Sequence, residues 1–238
     1  MNNTSFRVLV ASSQHASFAT LICEEMEASA KARGTGIAKR SPDYLIQKMQ
    51  EGKAVIALTE DGTWAGFCYI ETWSHENYVA NSGLIVAPDF RKSGLARDIK
   101  AKIFELSRTK YPNAKIFGLT TGLAVMKINS ELGYEPVTYS ELTQDEAFWK
   151  GCQSCVNYEI LKSKERKNCL CTAMLYIPTP PTETPKVVQA TEIPKAKWDF
   201  SAKAKIYERF MQMKQHKLLN FFTKNIIKKT KSLVTFLF

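Results

Sequence analysis

No apolar run in this 238-residue chain reaches the length of a membrane-spanning helix. The opening Met-Asn-Asn-Thr-Ser carries neither the basic nor the apolar stretch of an export signal. Together these absences predict a cytoplasmic protein. The phosphate-binding pattern of nucleotide triphosphatases, Gly-x-x-x-x-Gly-Lys-Ser/Thr, is missing, and so is the Gly-x-Gly-x-x-Gly of dinucleotide folds. Histidine is scarce, with three in the chain. Without an export signal, the six cysteines point to reduced thiols, metal ligands or core residues rather than disulfides.

Charge is unevenly spread. Residues 179–238 hold 12 Lys and Arg against 4 Asp and Glu, while residues 1–178 hold 21 against 19. The net charge of +10 therefore belongs mostly to the C-terminal region and says little about the partners of the remainder. That region opens on the proline-rich Pro178-Thr-Pro-Pro-Thr-Glu-Thr-Pro185, which reads as a linker. Beyond it, Tyr207, Phe210, Met211, Leu218, Phe222 and Ile226 recur among lysines at helical spacing. We expect a main domain over 1–178, a linker over 179–198 and a basic amphipathic helical tail over 199–238. The tail is expected to dock on its own domain. Pairing with another subunit in a homo-oligomer, or contact with nucleic acid or acidic membrane, are its alternatives.

Within the main domain the patterns alternate. Phe6–Ala11 reads as a strand, followed by a helix with Phe18, Leu21, Ile22 and Met26 on one side and Gly34 near its end. Ser41-Pro42-Asp43 starts a second helix reaching Gln50. Ala54–Thr59 and Trp64–Trp73 form a hairpin about Asp61-Gly62, and a further strand spans 77–86. Pro88 stops that strand. A basic, glycine-containing turn then leads into a helix with Leu95, Ile99, Ile103 and Leu106 on one face. Lys115–Thr120 is a strand, 124–132 a short helix, 134 onward an extended piece, and 170–177 the last strand. This order predicts a mixed α/β fold.

The turn after the fourth strand carries the chemistry. A helix start offers backbone N–H groups without partners and a partial positive charge. Glycine lets an anion approach them, and Arg91 and Lys92 add charge. Arg91-x-x-Gly94-x-Ala96 resembles the Arg/Gln-x-x-Gly-x-Gly/Ala signature of the GNAT acyltransferase superfamily, and the element order over about residues 5–177 resembles the GNAT fold. The resemblance implies an acetyl-CoA or succinyl-CoA co-substrate. Its pyrophosphate would lie on the turn of Arg91, Lys92, Ser93, Gly94, Leu95 and Ala96, and its pantetheine arm along the strand Leu84, Ile85 and Val86. Leu119–Asn129, Glu135–Tyr139 and Phe148–Cys152 resemble GNAT proteins associated with bacterial arginine biosynthesis. That implies acyl transfer to the amino group of a small amine, glutamate above all. A protein N-acetyltransferase and a non-catalytic acyl-CoA-binding module are the other readings.

Amide formation from a thioester needs a neutral amine and therefore a base. Glu71, His75 and Glu76, at the end of one central strand and the turn beyond it, are the candidates. Arg40, beside Lys39, and Lys127 are candidates for the carboxylates of the acceptor. Many GNAT enzymes place a tyrosine, the acid for the leaving thiolate, four residues before a Gly-aromatic pair. Here the pair is Gly133-Tyr134 and the position is Asn129, which we place at the cofactor. Finally, Cys152-x-x-Cys155 and Cys169-x-Cys171 form two tight pairs in a cysteine-rich insertion over 143–171. Such pairs suit a four-thiolate structural zinc, each spanning two vertices of a tetrahedron. The insertion has few apolar residues of its own, so a metal would account for its order.

Overall fold

The computed structural model describes residues 5–34 and 39–178. The linker over 179–198 and the tail over 199–238 lie outside the described residues. Among the described residues, no helix is long and apolar enough to cross a membrane.

Seven strands form one sheet in the order β1-β2-β3-β4-β5-β7-β6. β1 (Phe6–Val10), β2 (Ala54–Thr59), β3 (Trp64–Trp73) and β4 (Tyr78–Val86) run antiparallel in succession. β5 (Lys115–Thr120) lies parallel to β4, and β7 (Thr172–Tyr176) pairs antiparallel with both β5 and β6 (Glu135–Val137). Every residue of β2, and β3 as far as Glu71, is buried, as befits strands covered on both faces.

Alternation along the strands divides the core. One face of β1–β4 presents Ile56, Phe67, Tyr69 and Ile85 to α1 (Ala19–Arg33) and α2 (Pro42–Gln50). The other presents Val55, Cys68, Ile70 and Val79 to α3 (Leu95–Lys110), with α4 (Leu123–Glu131) beside it. The helix ends follow local chemistry. Ser41 accepts the Tyr44 N–H at 3.2 Å with Pro42 in the first turn. Gly34 closes α1 in the left-handed region.

The insertion folds onto the first of these faces, which corrects the expectation that it lacks a core. α5 (Glu146–Lys150) and α6 (Tyr158–Ser163) set Leu142, Trp149 and Leu161 against Ala80, Phe117, Ala173 and Leu175. Phe148 stacks edge-on with Trp73 and Phe117. Few apolar residues suffice because most of them are large rings.

Two irregularities shape β4. Its pairing with β5 covers only Tyr78, Val79 and Ala80, so the two strands part from Asn81 onward. Its register against β3 shifts between Phe67↔Ile85 and Tyr69↔Ser82, which marks a bulge at Gly83-Leu84. Gly83 has φ +66°, and a Cβ there would collide with the Tyr69 ring and the Met26 methyl. Gly83→Ala is expected to cost about 2 kcal/mol or more, combining left-handed strain with overpacking. Gly94→Ala, at φ +92° with open space around it, should cost about 1 kcal/mol. Urea midpoints of the two variants, compared at equal slope, check the ranking.

Candidate active site

The turn after β4 is open to solvent. Pro88–Phe90 makes a 3-10 turn, and Arg91, Lys92, Ser93 and Gly94 are all exposed before α3 begins at a buried Leu95. Lys92 and Gly94 both hold left-handed backbone, with φ of +64° and +92°. Among the described residues, the amides of Lys92, Ser93 and Gly94 donate to no acceptor, and that of Leu95 reaches Ser93 Oγ only at 3.4 Å. Ser93 Oγ itself donates to Phe90 O at 2.7 Å. Free N–H groups at a helix start make this turn a candidate anion site. A Cβ at Gly94 would meet nothing within 4 Å.

Arg91 is placed differently from the sequence expectation. Its guanidinium turns toward α1, donating to Glu25 Oε1 at 2.6 Å and Ser29 Oγ at 2.7 Å, while Nε donates to Val86 O at 3.2 Å. The positive end of the turn is thus held by backbone and Lys92, with Arg91 as its brace. Leu84, Ile85 and Val86 lie beyond the point where β4 leaves β5. Asn129 sits on α4, 1% exposed, next to Gly118 of β5. Its Nδ2 donates to Met174 Sδ at 3.7 Å, and its buried Oδ1 has no hydrogen-bond partner among the described residues.

Near the fork of β4 and β5, on the α1–α2 face, stands a polar cluster. Glu71, 6% exposed, lies opposite Ala80. Its Oε1 accepts from Arg40 at 2.9 Å and from Tyr44 Oη at 2.7 Å. Arg40 Nε donates to Tyr69 Oη at 3.0 Å, and its guanidinium lies 5.1 Å from the centre of the Tyr44 ring. No hydrogen bond falls on Oε2 of Glu71 among the described residues. Burial, then the Glu71 charge, pushes the Tyr44 and Tyr69 phenols above their ordinary range. Both are therefore hydrogen-bonding hydroxyls at any working pH. Tyr44 and Tyr69 were missed from sequence, although Tyr69 and Glu71 share a strand face by their spacing of two.

The other candidates lie apart. His75 and Glu76 are exposed on the β3–β4 turn, where three successive residues hold positive φ. That turn is braced by the insertion, with Ser74 N donating to Asp145 at 3.2 Å. Glu76 lies toward Tyr111, at the end of α3 remote from the anion turn. Lys39 pairs with Glu27 on the surface. Lys127 is exposed on α4, the helix whose Met126 joins the core on the face opposite Glu71. The structure therefore unites Arg40 with Glu71 and separates both from Lys127, His75 and Glu76.

Among the described residues, no three His, Cys, Asp or Glu side chains stand in a metal-ligating arrangement, so the expected set of Cys152, Cys155, Cys169 and Cys171 is not formed as four ligands. The thiols nevertheless share a neighbourhood. Asn157 N donates to Cys155 Sγ at 3.4 Å, and Cys169 Sγ approaches Asn157 O at 3.9 Å. Burial and the neighbouring thiols push Cys152 up to about 11 and Cys171 up to about 12.

No protein-family model matches the chain, and no curated protein matches it. Solved structures do. N-acetylglutamate synthase from Neisseria gonorrhoeae, complexed with coenzyme A and N-acetyl-glutamate, superposes with a TM-score of 0.52 at 16% identity, over 74% of this chain and 36% of that one. This chain thus spans about a third of that synthase. A Mycobacterium tuberculosis protein in complex with CoA gives 0.51 at 17% identity, over 72% and 98%. A putative acetyltransferase from Acinetobacter baylyi ADP1 gives 0.51 at 14%, over 74% and 94%. With its mixed seven-stranded sheet and parted β4 and β5, the chain has the fold of the GNAT acetyltransferases.

Proposed function

We propose that this protein transfers an acyl group, acetyl or succinyl, from acyl-CoA to the amino group of a small amine, with glutamate the favoured acceptor in a role in arginine biosynthesis. The observation that carries the reading is the parting of β4 from β5. Free amides lie on the turn that follows β4, and a buried carboxylate, Glu71, lies opposite Ala80, the last residue of β4 to pair with β5. CoA-bound neighbours of the same fold support the donor. The acceptor rests on a neighbour crystallised with N-acetyl-glutamate and on the resemblance given above.

In this reading the amides of Lys92, Ser93 and Gly94 hold the pyrophosphate, and the unpaired edge of β4 from Asn81 onward holds the pantetheine arm. The carboxamide oxygen of Asn129, buried and unpaired, is an acceptor for an amide N–H of that arm. Glu71 works through its two oxygens separately. Arg40 and Tyr44 fix Oε1, which leaves Oε2 to take the acceptor ammonium and then its proton. Arg40, hydrogen-bonded to Glu71, would meet a carboxylate of the same acceptor.

Steady-state turnover of acetyl-CoA and succinyl-CoA against glutamate, ornithine, polyamines and peptides tests the assignment. Turnover with glutamate is expected. Turnover with peptides alone would make the protein a protein N-acetyltransferase, and CoA binding without turnover a binding module. Glu71→Gln keeps the shape and the Oε1 contacts, so it should fold and lose about 100-fold or more in kcat.

The anion turn has its own test. Gly94→Asp sets a carboxylate against the phosphates and strains the backbone. With two charge-assisted hydrogen bonds lost at about 1.5–3 kcal/mol each, CoA binding should weaken about a hundredfold or more. Arg91→Ala should cost less, because its guanidinium faces α1. Calorimetric titration with CoA reads both, and unchanged affinity in Gly94→Asp would remove the ground for the donor site.

For the insertion we propose a structural zinc on Cys152, Cys155, Cys169 and Cys171. In its support, the Asn157 amide already donates to Cys155 Sγ, as an amide does to a metal-bound thiolate. Deprotonation on metal binding would draw the four sulfurs together. Elemental analysis of reduced protein purified without chelator should find about one zinc per chain, and none would reject the site.

A further inference from the structure

α3 sends one cation into the interior. Lys100 is 2% exposed, and among the described residues it makes no ion pair with a carboxylate. Its Nζ lies 5.3 Å from the centre of the Tyr134 ring. The titratable groups facing it are the Cys68 thiol from β3 and the Tyr134 phenol from the segment after α4. Both mark the same place. Cys68 Sγ donates to Ser82 O at 3.3 Å, and Tyr134 Oη donates to Asn81 Oδ1 at 3.0 Å. Asn81 and Ser82 are the first residues of β4 past its last pair with β5. Lys100 therefore stands under the fork of the strands, on the face opposite Glu71.

A buried ammonium without a counter-ion is held at a cost that an arriving anion relieves. Acyl transfer produces one anion at the fork, the thiolate of CoA. The acid that the fold commonly uses for it is absent, because position 129 is an asparagine and a carboxamide does not give up a proton. The remaining hydroxyl and thiol are poor donors. Tyr134 is committed to Asn81, with its pKa raised by burial, and burial pushes Cys68 up to about 11. Burial moves Lys100 the other way, lowering its pKa and easing the loss of its proton.

We propose that Lys100 is the proton donor to the departing CoA thiolate, an inference that rests on the acyl-transfer reading above. Glu71 holds the first proton of the acceptor ammonium. As the amine nitrogen bonds to the acyl carbon, its surplus proton passes to water. The C–S bond breaks, its electron pair stays on sulfur, and Nζ of Lys100 gives that sulfur a proton. The products are an amide, neutral CoA thiol, a protonated Glu71 and a neutral lysine; Glu71 returns its proton to solvent and Lys100 regains one from it. Two carriers on opposite faces of the sheet thus serve the two halves of the reaction.

The full-length protein with free CoA provides the test, because the bound thiol reports on Lys100 without turnover. Thiolate absorbance in the ultraviolet, titrated against pH, should show CoA ionising at least tenfold more readily when bound than when free. Lys100→Met should abolish that shift with CoA affinity kept within a few-fold. Lys100→Arg keeps the charge but holds its proton, so it should retain the shift and lose turnover with acetyl-CoA. A thioester with a more acidic leaving thiol should recover that turnover. A bound thiol that ionises like free CoA in the wild-type protein, or equally in wild type and Lys100→Met, overturns the proposal while leaving the donor site intact. Failure of the wild-type protein to bind CoA would instead overturn the acyl-transfer reading itself.

Discussion

The parting of β4 from β5 is the constraint on which the remaining architecture depends. A parallel pair would ordinarily continue to the strand ends, and here it stops after three residues. The cause is packed into the neighbours. The bulge at Gly83 pulls β4 toward β3, where the Tyr69 ring and Met26 leave room for no side chain. β5 is meanwhile held along its length by β7. Two halves of one sheet are thereby tied to different partners, and the opening between them is enforced from both sides rather than left as a defect. Backbone groups unpaired at such a fork are expensive inside a protein unless a ligand or water takes them.

The polar groups of the interior gather about this opening. Glu71, Arg40, Tyr44 and Tyr69 satisfy one another on one face, while Asn129 and Lys100 stand less satisfied on the other. The contrast is chemical. A carboxylate that keeps a guanidinium and a phenol on one oxygen is oriented before any substrate arrives. Among the described residues, the Lys100 ammonium faces the Tyr134 ring with no carboxylate beside it, and the Asn129 carboxamide oxygen accepts no hydrogen bond.

The strands were legible from their apolar and aromatic runs bounded by turn residues. Ala54–Thr59, Trp64–Trp73 and Lys115–Thr120 appear with the bounds their composition suggests. The turn leading into α3 was legible too, since glycine and basic residues at a helix start advertise themselves. The cluster at Glu71 was half legible: the carboxylate and Arg40 were singled out, but not that they meet. Their contact spans 31 residues of sequence and depends on how α2 lies over β3. His75 and Glu76 drew notice as acid–base residues next to a strand end, yet a hairpin turn exposes them. Lys100 is hidden for the opposite reason. In a helix rich in lysine and arginine it reads as part of the solvated face, and only the tertiary packing reveals that this one is inside. The core of the insertion was underestimated because counting apolar residues ignores how much area a tryptophan or phenylalanine covers.

Arg91 joins two elements through one guanidinium: the end of β4 at Val86 O, and α1 at Glu25 and Ser29. α1 also packs on the Glu71 face of the sheet. An anion settling on the turn after β4 would compete with Glu25 for that guanidinium and so loosen the hold of α1 on the end of β4. The joint between helix and strand therefore rests on a single ion pair, partly open to solvent and sensitive to the charge around it.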